Sequence, residues 1–306
     1  MPNLAQALSL PRFSVIVPTY NDSERCLRCL WALSEQDCPR SDFEIVVVDN
    51  GSDPPLPLPS ELPEDLQVTL VVELSPGSYA ARNRGIREAR GDILAFTDSD
   101  CLPSRTWLST AVAVLDDKAH DVVLAGKISL FPEAVVRPNP AELYDLYFGL
   151  RQARFVQEYG FGATANLVVP KRVIANCGPF NADLKSSGDR EWGHRVHACG
   201  YRIVYIEALV VRHPARNTLD ALLAKVRRKA GGRHDLQAKS SKDHTSSMRG
   251  GERTRLARGS LAQLVALRRE YGVIPALRVV NIMLAIVVAT LSEGMRLRSG
   301  MQSRRC

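Results

Sequence analysis

The 306-residue sequence has no zinc-finger spacing, no RNA-binding signature and no basic run interleaved with aromatics, and aromatic residues make up only 6% of it. No nucleic-acid partner is therefore expected, although the chain is basic overall, with a net charge of +7. Its start, Met-Pro-Asn-Leu-Ala-Gln-Ala-Leu, lacks the basic beginning and long apolar stretch of a secretory signal. The seven cysteines, an odd number, are scattered at 26, 29, 38, 101, 177, 199 and 306. Cys26 and Cys29 fall inside an amphipathic helical pattern without a partner motif. They predict reduced thiols on a helix face rather than a redox or metal pair, and with them a reducing, cytoplasmic setting.

What the chain does hold is ordinary core material, 45% hydrophobic and 24% charged, enough for one large domain or two small ones. Its charge is divided. Residues 1–211 carry 20 Lys and Arg against 27 Asp and Glu, a net of −7, and residues 212–306 carry 20 against 6, a net of +14. An acidic body with a basic tail suits contact with an anionic membrane face or an acidic substrate.

The densest chemistry is at residues 92–100, Asp-Ile-Leu-Ala-Phe-Thr-Asp-Ser-Asp. An apolar run there delivers Asp98 and Asp100 to the end of a strand, helped to stop by Pro103. Two neighbouring carboxylates repel and gain nothing from burial unless a cation or donors lie between them. Hard oxygen ligands at a strand end suit Mg2+ or Mn2+, while a solvated turn with an Asp cap is the plainer reading.

Phe13–Val17 predicts a first strand ended by Pro18, and Asn21-Asp22-Ser23 caps a helix with Leu27, Leu30, Trp31 and Ser34 on one face. Residues 43–48 and Val68–Glu73 predict further strands, with a Pro-rich surface loop from Pro54 to Pro63 between them. A helix from Gly77 to about Arg90 leads into the Asp-x-Asp strand. This alternation predicts a parallel sheet covered on both faces, whose ligands lie beyond the strands' carboxyl ends. Three such ends converge: Pro18-Thr19-Tyr20-Asn21, Asp49-Asn50-Gly51-Ser52 and Asp98-Ser99-Asp100. Arg82, Asn83 and Arg84, among small residues, are either a solvated basic face or the counterweight that holds a phosphate.

Tyr144, Tyr147, Phe148 and Phe155 predict one aromatic-rich helical segment, either core or an acceptor-facing lip. Asn166 reads equally as a turn residue or a ligand donor. Tyr201–Ile206 and Val210–Val211 predict two strands leading to His213, a structural imidazole or a third metal ligand beside carboxylates. Asp189 and Glu191 read as helix-capping carboxylates on their own.

Taken in order, these pieces resemble the family 2 glycosyltransferases of the GT-A fold. Val15-Ile-Val-Pro18-Thr-Tyr20-Asn21, Val46-Val-Val-Asp49-Asn-Gly-Ser52, Ala81-Arg82-Asn83-Arg-Gly85, Phe96-Thr-Asp98-Ser99-Asp100, Gly188-Asp189-Arg-Glu191-Trp192 with Arg195, and His213 carry the likeness over residues 12–216. The resemblance implies an α/β fold, a GT-A type, Rossmann-like, mostly parallel sheet flanked by helices, with a basic helical C-terminal extension. It implies a catalytic domain at 1–216 and a basic helical region at 217–306 that is a candidate membrane attachment. The implied activity is inverting transfer from a nucleotide-diphosphate sugar, a UDP-sugar, to a hydroxyl of a glycan or lipid-linked acceptor, in bacterial cell-surface polysaccharide or glycolipid synthesis. The same resemblance implies Mn2+ or Mg2+ held by Asp98, Asp100 and His213. It places the nucleotide sugar against Pro18, Tyr20, Asn21, Asp49, Arg82, Asn83, Asp98 and Ser99. Where the family often has Glu-Asp, this chain has Gly188-Asp189, which leaves Asp189 as the expected base and Glu191 as its rival. The alternatives are a nucleotidyltransferase, although its Gly-rich basic loop is missing after the first strand, and a non-catalytic nucleotide-sugar binding module.

From Leu219 the tail is helical in pattern, with Lys225, Arg227, Arg228, Lys229 and Arg233, and residues 239–259 predict a polar loop. Val273–Leu291 is a mostly apolar run close to the length of a membrane span, with Pro275, Arg278 and Asn281 near its start. In-plane or peripheral attachment at the cytoplasmic face of the inner membrane is preferred to a span or to an ordinary packed or dimer helix.

Overall fold

The computed structural model describes residues 10–57, 62–117, 122–134, 136–239 and 250–301. In chain order the elements are β1 Phe13–Thr19, α1 Ser23–Ser34, β2 Phe43–Asp49, β3 Val68–Val72, α2 Ser78–Glu88, β4 Ile93–Thr97, β5 Leu102–Pro103 and α3 Trp107–Asp117. There follow β6 Val122–Phe131, α4 Pro140–Phe148, α5 Gln152–Tyr159, β7 Asn166–Pro170, α6 Lys171–Cys177, α7 Gly188–Ala198 and β8 Arg202–Pro214. Three long helices close the chain: α8 Leu219–Lys239, α9 Gly250–Tyr271 and α10 Val273–Arg298.

Two compact units result. The first is Met1–Ser129, Gln152–Asp183 and Gly188–His213; the second is Leu130–Arg151, Leu184–Ser187 and Pro214–Cys306. The division expected at 216/217 is thus drawn differently. The chain after β6 leaves the sheet and commits α4 to the helical unit, where Leu143 packs with Leu267 of α9 and Val279 of α10.

The first unit is built on an eight-stranded mixed sheet in the order β3-β2-β1-β4-β7-β6-β8-β5. Strands β1 to β4 pair in parallel. The pairs β4–β7, β6–β7 and β5–β8 are antiparallel, so the sheet is mixed beyond β4. β1, β2, β4 and β7 are buried along their whole lengths, as continuous apolar strands covered on both faces should be. Helix α2 lies close on β1 and β2 because Gly85 has no side chain: a Cβ there would fall 2.5 Å from Ile16 Cγ2.

Several local expectations change. Pro18 does not end β1, which runs on to Thr19. β4 pairs with β1 only as far as Ile16, so beyond that point a strand without an N–H loses no partner on that side. The buried stripe of α1 is Cys26, Cys29, Leu30 and Leu33, at i, i+3, i+4 and i+7, while Trp31 is 41% exposed. Burial pushes the Cys26 thiol up to about 12 and raises the Cys29 thiol well above its ordinary value, so both behave as small hydrophobes. The aromatic segment is two helices, α4 and α5, separated at Gly149 and belonging to different units. The two strands expected over 201–211 are one, β8. Part of the expected Pro-rich loop, 58–61, and part of the expected tail loop, 240–249, lie outside the described residues; from Gly250 the chain is helical, in a stretch rich in the good helix formers Glu, Arg, Leu and Ala.

Asn166 is neither a turn residue nor a ligand donor. It is fully buried at the start of β7, where its Oδ1 accepts from Trp107 Nε1 (2.9 Å) and its Nδ2 donates to the carbonyls of Lys127 and Leu209 (both 2.9 Å). One amide thus ties α3, β6, β7 and β8 together. Asn166→Ala should cost about 3 kcal/mol, since it leaves several buried polar partners unpaired. Urea denaturation would measure this, and a loss under about 1 kcal/mol would show that the cross-brace is dispensable.

Candidate active site

The antiparallel pairing of β5 with β8 sets Leu102 opposite Arg212 and Pro103 opposite Val211. Continuing that register brings His213 to Cys101 and Asp100, just past the end of β4. Ligand atoms of Asp98, Asp100, Cys101 and His213 all lie within 4.8 Å of one another, and His213 Nε2 is 3.6 Å from Asp100 Oδ2. His213 is 5% exposed, so its ring is fixed by packing in β8. The donor set of two carboxylates and an imidazole fits Mn2+ or Mg2+. Cys101 was not singled out from the sequence, although it follows the Asp-Ser-Asp directly. Burial raises its thiol well above the ordinary value, and Sγ–H donates to Asp100 Oδ1 (3.7 Å).

The two Asp residues are not equivalent. Asp98 is paired with Arg82, whose side chain is 5% exposed, while Asp100 faces His213. Arg82 also donates from Nη1 to Ser78 O (3.3 Å), and its guanidinium lies 5.9 Å from the Tyr79 ring centroid. Its buried Nε has no acceptor among the described residues. An orphaned cationic donor beside paired carboxylates is a natural place for an anionic oxygen.

Around the other strand ends, the expected nucleotide contacts separate into surface groups and braces. Tyr20 is 57% exposed and Asn21 is exposed, while Pro18 is buried in β1 and Ser99 is half-buried after β4. Asn21, with φ 50°, donates from its backbone to Ser52 Oγ (2.8 Å) and accepts at Oδ1 from Asp53 N (2.9 Å), joining the first two strand ends. Asp49 is turned inward: Oδ1 accepts from Ser52 N (2.9 Å) and Oδ2 from Leu56 N (3.1 Å). Burial alone would raise its carboxyl, but these bonds outweigh burial and hold it below the usual range. Asp49 thus shapes the loop after β2. Asn83 is a brace as well. Its amide donates to Phe180 O (2.7 Å) and accepts from Phe180 N (3.0 Å).

The loop that Asn83 pins carries the least legible piece of the site. The Phe180 ring contacts Tyr79 of α2, Phe96 of β4 and Trp192 of α7, at centroid distances of 6.0, 5.5 and 5.1 Å. This apolar hub sets α7 against the sheet. At the start of α7, the Tyr79 hydroxyl accepts from Gly188 N (2.8 Å) and Asp189 N (3.3 Å) and donates to Asp189 Oδ1 (3.3 Å). A Cβ on Gly188 would lie 2.6 Å from Tyr79 Cε2. The tyrosine ring thus fills the space a larger residue would need, which accounts for Gly where the resembling family often has Glu.

Asp189 and Glu191 are held differently. Glu191 is gripped by Arg195 through Nε (2.6 Å) and Nη2 (3.1 Å), and the same guanidinium donates to Pro179 O (2.7 Å) and to Cys177 O. This is an i, i+4 pair, a signal the sequence carried openly. Its charge is spent on bracing the turn after α6. Asp189, in the first turn of α7, is joined through Tyr79 to Arg82 and through Arg82 to Asp98. Tyr79→Phe should lower kcat about tenfold with little change in donor KM, because it removes the bond to the Asp189 carboxylate and the acceptor of Gly188 N and Asp189 N while keeping the ring. Steady-state kinetics decides this; an unchanged kcat would mean the hydroxyl does not position Asp189.

A family model described as Glycosyl transferase family 2 matches residues 14–177. The chain is 34% identical over 212 residues to glycosyltransferase AglE of Haloferax volcanii, covering 68% of each. It is 36% identical over 116 residues to the poly(ribitol-phosphate) beta-N-acetylglucosaminyltransferase TarS of Staphylococcus aureus, which is 37% of this chain but only 20% of that protein. Among solved structures, a mannosyltransferase of Pyrobaculum calidifontis in complex with GDP-Man and Mn2+ shares the fold, with a TM-score of 0.59 at 22% identity, over 94% of this chain and 88% of that one.

Proposed function

This chain belongs to glycosyl transferase family 2, and from that premise we propose that it transfers a sugar from a nucleotide-diphosphate sugar to an acceptor hydroxyl with inversion, Asp189 serving as the base. Family membership removes the nucleotidyltransferase alternative. The observation that carries the reading is the linked set Asp189–Tyr79–Arg82–Asp98 alongside Asp100 and His213. It provides a carboxylate for a proton and a separate charged cluster for a diphosphate.

As the acceptor oxygen forms its bond to the anomeric carbon, the bond to the nucleoside diphosphate breaks on the opposite side. The hydroxyl proton passes to an Asp189 carboxylate oxygen, which Tyr79 and the α7 N-terminus hold in place. Negative charge builds on the departing phosphate, where the Arg82 guanidinium can accept part of it. Asp100 and His213, with Asp98 as the partner shared with Arg82, are the residues to hold Mn2+ or Mg2+. A divalent ion bound there supplies charge neutralisation for the leaving diphosphate. The Mn2+ and GDP-Man in the mannosyltransferase complex, and the acceptor named for TarS, support a metal-dependent enzyme of surface-glycan synthesis.

The second unit supports an acceptor met at an anionic lipid surface. Among the described residues α10 is the one helix long and apolar enough to cross a membrane. Yet Val279, Ala289 and Leu297 on one side are buried, whereas Leu277, Leu284, Val287, Val288, Leu291 and Met295 are exposed. At 100° per residue the exposed set falls within an arc of about 100°. One packed face and one bare apolar face support a helix lying in the interface, and the +14 charge of residues 212–306 favours anionic lipid. Leu284→Glu with Val288→Glu should reduce co-sedimentation with phosphatidylserine vesicles at least tenfold. Unchanged retention would remove this surface from the reading.

The test of the activity is incubation of the full chain with Mn2+ and a panel of nucleotide sugars, recording hydrolysis, transfer and thermal stabilisation. Turnover of one donor, lost on chelation, is expected. Stabilisation by a donor with no turnover under any acceptor condition would favour a binding module instead.

A further inference from the structure

Within the first unit, the end of α6 is laced to one face of α7. Trp192 Nε1 donates to Gly178 O (3.0 Å), and Arg195 donates to Cys177 O and to Pro179 O (2.7 Å). A Cβ on Gly178 would lie 3.2 Å from Arg195 Nη1, so the guanidinium sits close against this turn. Cys199 comes four residues after Arg195, and its N–H donates to Arg195 O (2.9 Å), which continues the same face by one turn. There its thiol is hydrogen-bonded with the thiol of Cys177. The two differ in access: Cys177 is 8% exposed, whereas Cys199 is exposed. Among the other described residues, Cys26, Cys29 and Cys101 are buried and Cys38 is half-buried.

We propose that Cys177 and Cys199 are a redox-sensitive pair, which a small-molecule disulfide converts into an intramolecular disulfide that fastens α6 to α7. Cys199, as its thiolate, attacks one sulfur of the small disulfide; that S–S bond breaks and one small thiol leaves. Cys177 then gives up its proton and attacks the Cys199 sulfur of the mixed disulfide, and the second small thiol leaves. The protein loses two protons and two electrons, and the small disulfide takes up both as two thiols. Access decides the order of the steps, because a reagent meets Cys199 before Cys177. Proximity drives the second step, since the two thiols are already in contact. Burial, then the Cys199 thiol, push the Cys177 thiol up to about 12 against the pull of Arg195. A pair poorly stabilised as thiolate favours its disulfide. The closed loop runs from Cys177 through Phe180 and Asp189 to Cys199, so the link restrains the unfolded chain across both the aromatic hub and the start of α7. A reducing setting keeps the pair as thiols, and closure follows when oxidised small disulfides accumulate. Neither thiol takes part in the proposed sugar transfer, so the pair stands or falls apart from it.

The test incubates the full chain with oxidised glutathione, without metal, donor or acceptor, followed by quenching with N-ethylmaleimide and peptide mapping by mass spectrometry. A Cys177–Cys199 cross-link, reversed by dithiothreitol, should form about tenfold faster in the folded chain than in the urea-unfolded chain. Cys177→Ser should stop at the glutathione adduct on Cys199, and Cys199→Ser should leave Cys177 unmodified. Serine keeps the size and the hydrogen-bonding capacity of each thiol, so both variants retain the packing of α6 and α7. The cross-linked chain should melt about 2 °C or more above the reduced one, and glutathione should not shift either variant upward. A glutathione adduct on Cys199 that never closes onto Cys177 overturns the proposal, as does closure of Cys199 onto another cysteine. Equal rates in the folded and unfolded chains, an unreactive Cys199, or cross-linking that leaves the melting temperature unchanged overturn it too.

Discussion

Asp189→Asn is expected to lower sugar transfer on the order of a thousandfold while Mn2+-dependent donor binding persists. That factor corresponds to about 4 kcal/mol of transition-state stabilisation. The substitution is a clean one. The amide keeps an oxygen to accept the Tyr79 hydroxyl and the Arg190 backbone N–H, so the start of α7 has no cause to move. What is lost is the capacity to take a proton. Glu191→Gln is the matched comparison, because it weakens the grip of Arg195 on the turn after α6 and should cost stability rather than chemistry. Initial-rate transfer assays on both variants, beside calorimetric donor binding, separate the two carboxylates. Near-full activity in Asp189→Asn would return the base assignment to Glu191.

Asp100→Asn should abolish the Mn2+ requirement together with the activity it supports. Asp98 is neutralised by Arg82, so Asp100, opposite His213, carries the charge that a cation would feel most. Loss of an outer-shell partner typically weakens a metal site about 10–100-fold, and loss of a direct ligand should exceed that. Mn2+ titration followed by electron paramagnetic resonance reads the affinity directly, without depending on turnover. Equal Mn2+ affinity in variant and unaltered chain would remove Asp100 from the site. Asp98→Asn makes a different prediction, since it strips the buried Arg82 of its counter-charge and should destabilise α2 as well.

The half of the sheet containing β1 to β4 was legible from the chain because strands buried on both faces must be continuous apolar runs, and carboxylates at their ends have no packing reason to be there. The other half, with its antiparallel β7, was less so. β8 reads as two strands because exposed polar residues interrupt its hydrophobic pattern, although the ladder does not break. Asn166 looked like surface chemistry and proved to be a buried cross-brace; nothing near it in sequence announces partners as distant as Trp107 and Leu209. Phe180 had no signal beyond lying after Gly178-Pro179, since a hub is defined by the three rings that meet it and not by its own neighbours. The bracing bonds of Asp49 and Asn83 were hidden for the same reason: their amide and N–H partners belong to loops whose course the local pattern does not specify.

The sequence by itself determined the acidic strand ends, the family and the concentration of positive charge towards the tail, because each is written in composition and short-range order. Only the tertiary structure decided which carboxylate does what. Asp98 goes to Arg82, Asp100 to His213 and Asp189 to Tyr79, and the last two pairings join elements far apart in the chain. Such pairings follow from strand order, register and close helix approach, through which a histidine at the end of β8 reaches an aspartate beyond β4. A lone Asp carries the same charge wherever it stands; its neighbours across the fold decide whether it braces a loop, holds a cation or takes a proton.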